Sequence, residues 1–251
     1  MCHRIILHFF AVVTIAIPGC KKSGSFPTAI QVPMEQKQDS IMALPEPDGK
    51  STAFLALGDS YTIGASVSEA ERFPFQTKSL LEANGKVVSS LNYIAVSGWT
   101  TIRLQNAIDA QNPPDSFGIV TLLIGVNDQY QGSGLDLPGY RLRFTSLLEK
   151  SIQLTGGRRN RVFVLSIPDY SVTPFAAGGD RERIKVEIEG FNQVNKEVAD
   201  AYKVSYIDIT PISRGAKDDR SLLAADGLHP SGKMYQKWVA LLEPQIRTVL
   251  P

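Results

Sequence analysis

The chain has 251 residues, 43% of them hydrophobic and 20% charged, the composition of an ordinary globular protein. Its 26 Lys and Arg stand against 25 Asp and Glu, so no excess of positive charge marks it as a binder of nucleic acid. The short basic run Arg158-Arg159-Asn160-Arg161 suits the carboxyl end of a helix, where cations meet the dipole.

In chain order, the first segment reads as a targeting signal. His3 and Arg4 give a weakly positive start, and the apolar run 5–17 is far shorter than the ~20 residues a spanning helix needs. The run ends in Ile17-Pro18-Gly19-Cys20, which resembles the lipobox of bacterial lipoproteins, with Pro18 in place of a small residue. That resemblance implies a signal peptide over 1–19, cleavage before Cys20, acylation of Cys20, and export to a membrane that holds the chain by its lipid anchor. Loss of the leader removes Cys2 and Arg4, leaving Cys20 as the only thiol and a formally neutral chain. An unpaired thiol outside the cytoplasm is a liability that lipidation removes. Residues 20–50 are then the lipidated cysteine and a flexible tether, rich in Pro, Ser, Gln and Lys, with Pro27, Pro33, Pro45 and Pro47 and no sustained period. As a coil of about thirty residues it would keep the following domain roughly 30 Å from the membrane.

From Ser51 the pattern changes. Apolar or β-branched runs at 54–57, 91–96, 119–124, 162–167 and 204–209 predict five strands. Helical periods follow at 73–84 with Gly85 as stop, 101–110, 140–154 with Gly156-Gly157 as stop, 183–202, and 232–249 interrupted at Pro244. Strands alternating with helices imply right-handed crossovers and a parallel sheet covered on both faces. The expected fold is α/β, a three-layer α/β/α sandwich with a five-stranded parallel sheet, formed by one domain over 51–251.

Ligands of open parallel sheets bind beyond the carboxyl ends of the strands. The first run is followed by Gly58-Asp59-Ser60-Tyr61-Thr62-Ile63-Gly64, the second by Ser97-Gly98-Trp99-Thr100-Thr101 and the third by Gly125-Val126-Asn127-Asp128. A longer loop after the fifth ends in Asp226-Gly227-Leu228-His229-Pro230. One edge thus receives a hydroxyl, flexible backbone N–H groups, a carboxamide, a carboxylate and the one histidine outside the leader. These are the parts of serine-based acyl transfer. Each residue alone has a plainer use: Ser60 as a helix N-cap, Asn127-Asp128 and Asp226-Gly227 as turn formers, Gly98 as a strand end and His229 as a helix-start residue.

These motifs together resemble the SGNH (GDSL-type) hydrolases: Gly-Asp-Ser after the first strand, a glycine after the second, Gly-x-Asn-Asp after the third, and Asp-x-x-His-Pro near the carboxyl end. Tyr61 replaces the leucine of the family's tetrad. The resemblance implies a flavodoxin-like SGNH hydrolase fold. It implies Ser60 as nucleophile, with an oxyanion hole from the Ser60 and Gly98 N–H groups and the Asn127 side chain. His229 is then the base and Asp226 orients it. A serine hydroxyl is a poor nucleophile until an imidazole accepts its proton, and a carboxylate three residues before the histidine can fix its tautomer. Asp59 and Asp128 are expected to support the site by hydrogen bonds, while Trp99, Tyr61 and Tyr130 could line a pocket or pack in the core.

The resulting expectation is a lipid-anchored carboxylic-ester hydrolase, periplasm-facing or at the cell surface, forming an acyl-serine intermediate and using no metal or organic cofactor. Its rate should fall in acid as the base is protonated. The resemblance admits lysophospholipid, short-chain ester, thioester and carbohydrate O-acetyl substrates, and an exported enzyme points to small acyl esters, acetylated glycans among them. A long apolar groove would indicate lipid, and an aromatic, hydrogen-bonding cleft sugar. Two rivals use the same residues: a non-catalytic flavodoxin-like lipoprotein binding flavin, glycan or lipid, with Gly58 to Ser66 cradling a phosphate, and a metal site of Asp59, Asp128, Asp226 and His229. The loop at 171–179, with Pro174 and Gly178-Gly179, could be a pocket rim or a connector. Nothing in the chain indicates an oligomeric state.

Overall fold

The apolar runs become strands and the periodic stretches between them become helices. The computed structural model describes residues 51–132 and 136–251; the expected signal peptide, the lipidated Cys20 and the tether lie outside them. In chain order the elements are β1 (Ser51–Gly58), α1 (Ser60–Ile63), α2 (Phe73–Ala83), β2 (Val87–Ala95), α3 (Thr101–Gln111), β3 (Ile119–Leu123), α4 (Val126–Gln131), α5 (Leu137–Leu154), β4 (Val162–Leu165), α6 (Arg181–Tyr202), β5 (Ser205–Ile207), α7 (Thr210–Arg214) and α8 (Gly232–Val249). Short 3-10 turns fill several connections, two of them at Tyr170–Val172 and Pro174–Gly178.

The five strands form one sheet in the order β2-β1-β3-β4-β5, and every neighbouring pair is parallel. Residues 53–58, β3 and β4 are buried along their whole length, as strands covered on both faces must be, whereas β2 and β5 at the edges are only partly covered. On one side α2 packs on α8 and on the other α3 packs on α5 and α5 on α6, which makes the three layers. Trp238, Tyr235 and Phe73 interlock in the first helical layer and Tyr140, Phe144 and Phe191 in the second.

Strand order reverses between β1 and β3, and such a switch point opens a crevice at the carboxyl ends of the two strands. Register brings three strand ends to one level: Gly58 lies opposite Ala95 of β2 and Leu123 of β3. Gly58 cannot be larger, because a Cβ there would fall 2.3 Å from the Leu123 carbonyl oxygen. The segments holding Ser60, Gly98 and Asn127 therefore leave the sheet side by side.

Several boundaries differ from expectation. Strand β2 begins four residues early, since Ser51 of β1 is already paired with Val87. Strand β5 ends at Ile207 because the N–H groups of Ile209 and Thr210 turn to the Ser166 hydroxyl. Helices α5 and α6 start earlier than their apolar periods, each behind an aspartate cap: Asp136 accepts from Gly139 N–H and Asp180 from Arg183 N–H. The expected interruption at Pro244 does not occur, and α8 runs through it. Proline removes one backbone bond, but the buried stripe of Trp238, Val239, Leu242 and Ile246 on both sides of it holds the helix in the core. The basic run behaves as read: Arg158 donates to the carbonyls of Thr155, at the end of α5, and of Phe117. No helix among the described residues is long and apolar enough to cross a membrane.

Candidate active site

Asp59 follows the last residue of β1 and caps α1, its Oδ1 accepting from Tyr61 N–H at 3.0 Å, which puts Ser60 at the first position of α1. Ser60 is 7% exposed, and the Tyr61 side chain turns inward. The Tyr61 carbonyl takes the Tyr235 hydroxyl at 2.9 Å, which ties α1 to α8.

The segment before α8 meets this one. Ala224 N–H donates to the His229 carbonyl at 2.8 Å and closes a short loop that carries Asp226 inside it. Oδ1 of Asp226 accepts from the N–H groups of Leu228 and His229 at 2.9 and 3.0 Å. Oδ2 lies 2.6 Å from His229 Nδ1 and also accepts from the Ser66 hydroxyl at 2.6 Å. Burial pushes the Asp226 carboxyl up, but these hydrogen bonds from Ser66, His229 and the two backbone N–H groups outweigh it and hold it well below the usual carboxylate range. The imidazole then packs on the Tyr61 ring, with centroids 5.4 Å apart. Two segments remote in sequence, 59–66 and 226–229, are thus joined through a hydrogen bond and a ring contact.

Gly98 sits in the turn after β2, closed by Trp99 N–H donating to Val96. Its φ is +82°, a conformation open to glycine and strained for other residues. Its carbonyl accepts from Gln131 of α4, and the Trp99 carbonyl accepts from Asn127 Nδ2 at 3.0 Å, leaving that amide a second hydrogen. Asp128 holds the same turn from the other side: its carboxylate accepts the Thr101 N–H at 2.9 Å and the Thr101 hydroxyl. The post-β2 turn and α4 are therefore clamped to one another, Gly98 to Gln131 and Asn127 to Trp99.

Asp59 and Asp128 thus have the hydrogen-bonding positions expected of them, and both titrate high. Asp59 is fully buried with one carboxyl oxygen unpartnered, and burial, helped by the charge of Asp128, pushes it up to about 7 against the Tyr61 N–H bond. Burial also raises Asp128, opposed by its bonds to Thr101 and by Arg143. The alternative metal cluster does not form: among the described residues no three His, Cys, Asp or Glu side chains gather as metal ligands.

Of the expected aromatic residues, Tyr61 is core beneath His229, Trp99 is half-buried against the core, and Tyr130 is exposed. The loop at 171–179 is a rim. Its Phe175, with Tyr130 of α4 and residues of α6, lines a cavity of about 270 Å³. Its Phe175 N–H also reaches the Gly227 carbonyl at 3.4 Å. Ser66 joins the site from outside the sequence motifs: it lies 160 residues from Asp226 in sequence, and its place a few residues past Ser60 is the only signal of it in the chain.

Residues 56–237 match the model of the GDSL-like lipase/acylhydrolase family. No curated protein matches. Among solved structures, the chain is similar to a lipase/acylhydrolase from Enterococcus faecalis, at 21% identity and a TM-score of 0.58 over 80% of this chain and 97% of that one. It is similar to an acetylxylan esterase from Geobacillus stearothermophilus, at 19% and 0.58 over 78% of this chain and 94% of that one. A lipase from a goat rumen metagenome matches at 23% and 0.61, over 77% of this chain and 97% of that one. At these identities the likeness is one of fold.

Proposed function

The chain belongs to the GDSL-like lipase/acylhydrolase family and is an ester-hydrolysing enzyme, and on that premise we propose that it works through an acyl-serine intermediate on Ser60. The observation that carries this reading is the 2.6 Å contact of Asp226 Oδ2 with His229 Nδ1, made where the His229 ring packs at a tilt against Tyr61, the residue next to Ser60. An ionised carboxylate only accepts hydrogen bonds, so Nδ1 carries the proton and Nε2 keeps its lone pair. Nε2 is then the base that takes the Ser60 proton as Oγ attacks the ester carbonyl.

The negative charge that develops on the carbonyl oxygen needs donors set in advance. The Ser60 and Gly98 N–H groups and the second hydrogen of Asn127 Nδ2 fill that role. The clamp between the Gly98 turn and α4 keeps two of the three at fixed spacing. When the intermediate collapses, the bond from acyl carbon to alcohol oxygen breaks and the alcohol leaves with the proton held by His229. Water, deprotonated by the same imidazole, then releases the acid and restores Ser60.

The preferred substrates are small acyl esters. Domain and location follow the sequence: residues 51–251 as the hydrolase domain, 1–19 as the leader, and Cys20 as the acylated residue that holds the exported enzyme at a membrane through the 20–50 tether. The reaction is tested with a panel of p-nitrophenyl acyl esters. Ser60→Ala is expected to lower the rate at least about 10³-fold, and equal cleavage by the variant contradicts the mechanism.

A further inference from the structure

The cavity between α4, the 170–179 turns and the first half of α6 has a composition that selects an alcohol. We propose that it is the alcohol subsite and takes a single sugar ring, so that the substrates are O-acylated glycans; this rests on the acyl-serine reading above.

Its walls belong to the segments that carry the site. Gln129 and Tyr130 follow Asn127 on α4, and Phe175 is hydrogen-bonded to Gly227, between Asp226 and His229 in the same loop. One wall is aromatic: the rings of Tyr130 and Phe175 lie 5.8 Å apart, both pack on Tyr170, and they are 57% and 48% exposed. Rings of that size left open to solvent beside a cavity are surfaces for a ligand. The other wall sets a hydrogen-bonded chain beside Ala176, Ile184, Phe191 and the Asp180 carboxylate. The Tyr170 hydroxyl donates to Gln129 Oε1 at 2.8 Å, Gln129 Nε2 donates to Glu187 Oε2 at 2.7 Å, and Arg183 lies 3.7 Å from the second Glu187 oxygen.

A pyranose fits this asymmetry. It offers an apolar C–H face to the aromatic wall and a rim of hydroxyls, each both donor and acceptor, to Glu187 and Arg183. A long acyl chain fits it less well: Ile184 and Phe191 offer apolar contact, but packing methylenes there would strip water from Asp180, Arg183 and Glu187 and return no hydrogen bond. At about 270 Å³ the space is near the lower limit of ligand pockets, enough for one ring with the remaining sugars outside. Hydrolysis then breaks the bond between acyl carbon and sugar oxygen, the sugar oxygen takes the proton from His229, and the acyl group passes from Ser60 to water.

The test compares two acetates of like ring size, a mono-O-acetylated disaccharide and cyclohexyl acetate, with a long-chain lysophospholipid as third substrate. Wild-type enzyme should favour the sugar ester over cyclohexyl acetate by about tenfold or more in kcat/KM, the value of one or two net hydrogen bonds. Phe175→Ala and Glu187→Gln should each lower that ratio several-fold. A wild-type ratio near one, a faster rate on the lysophospholipid, or a ratio unchanged in both variants overturns the subsite. Loss of all three activities in Ser60→Ala with the ratio unmoved in the cavity variants would spare the acyl-serine reading and reject the sugar. Undiminished cleavage by Ser60→Ala would reject the acyl-serine reading itself.

Discussion

Ser66 and His229 converge on one atom: the Ser66 hydroxyl and His229 Nδ1 each lie 2.6 Å from Oδ2 of Asp226. Ser66 holds a φ of +65° to do this, a conformation that costs a residue with a Cβ about 1 kcal/mol or more and is kept where the surroundings demand it. The carboxylate that orients the imidazole is thus itself held by the segment that carries the expected nucleophile.

Removing that hydroxyl should loosen the Asp226–His229 pair. Ser66→Ala and Ser66→Gly are both expected to lower kcat/KM by about 3- to 10-fold, the equivalent of one hydrogen bond. Glycine relieves the backbone strain and alanine does not, so equal losses assign the effect to the hydroxyl. Steady-state kinetics of the two variants decide it, and full activity in the glycine variant would assign the effect to the backbone instead.

Asn127 donates one amide hydrogen to the Trp99 carbonyl at 3.0 Å, and the other is assigned to the oxyanion. Asn127→Ala should reduce kcat by about 10²- to 10³-fold with a much smaller change in KM, since the lost bond strengthens only as charge develops. A loss confined to KM would place Asn127 in ground-state binding and remove it from the oxyanion hole.

Much of this was legible in the chain because two patterns coincide. Residues 53–58, β3 and β4 are buried on both faces, so they appear as runs of apolar or β-branched residues and could be placed to within a few residues. The expected site residues follow those runs directly, and Gly58, opposite Ala95 and Leu123, turns adjacency in the sheet into adjacency of Ser60, Gly98 and Asn127. What escaped depends on contacts remote in sequence. Ser66 reaches Asp226 through a left-handed backbone that no residue pattern signals. The Pro- and Gly-rich stretch near Phe175 reads as loop although it folds into two 3-10 turns against Gly227. Pro244 signals a break that the burial of Trp238 and Leu242 overrides.

Asp59 ties stability to pH. Its folded-state pKa is raised from 3.8 to about 7 by burial, with the Asp128 charge adding to it. The folded state therefore holds a proton that the unfolded chain releases between these values. The stabilisation is fully present below about pH 4 and is lost as pH rises through 7. Asp59→Asn cannot ionise and can still accept the Tyr61 N–H, so its Tm relative to wild type should be more favourable at pH 8 than at pH 5. Thermal unfolding of both proteins at the two pH values is the check, and a pH-independent difference would contradict the buried titration.

The proposed acylation of Cys20 predicts a change of compartment. Wild-type protein expressed with its leader should enter the detergent phase on phase separation and sediment with membranes, and Cys20→Ala should remain in the aqueous phase. Identical partitioning of the two would remove the lipid anchor from the account.

The most direct test of the central claim is covalent trapping by diethyl p-nitrophenyl phosphate, in which the attacking oxygen bonds to phosphorus and p-nitrophenolate leaves. Peptide mass mapping of the inactivated enzyme should find the diethylphosphoryl group on Ser60, with no label acquired by Ser60→Ala and slow labelling of Asp226→Asn. Inactivation with the label on another residue, or labelling of Ser60→Ala at the wild-type rate, would contradict Ser60 as the nucleophile.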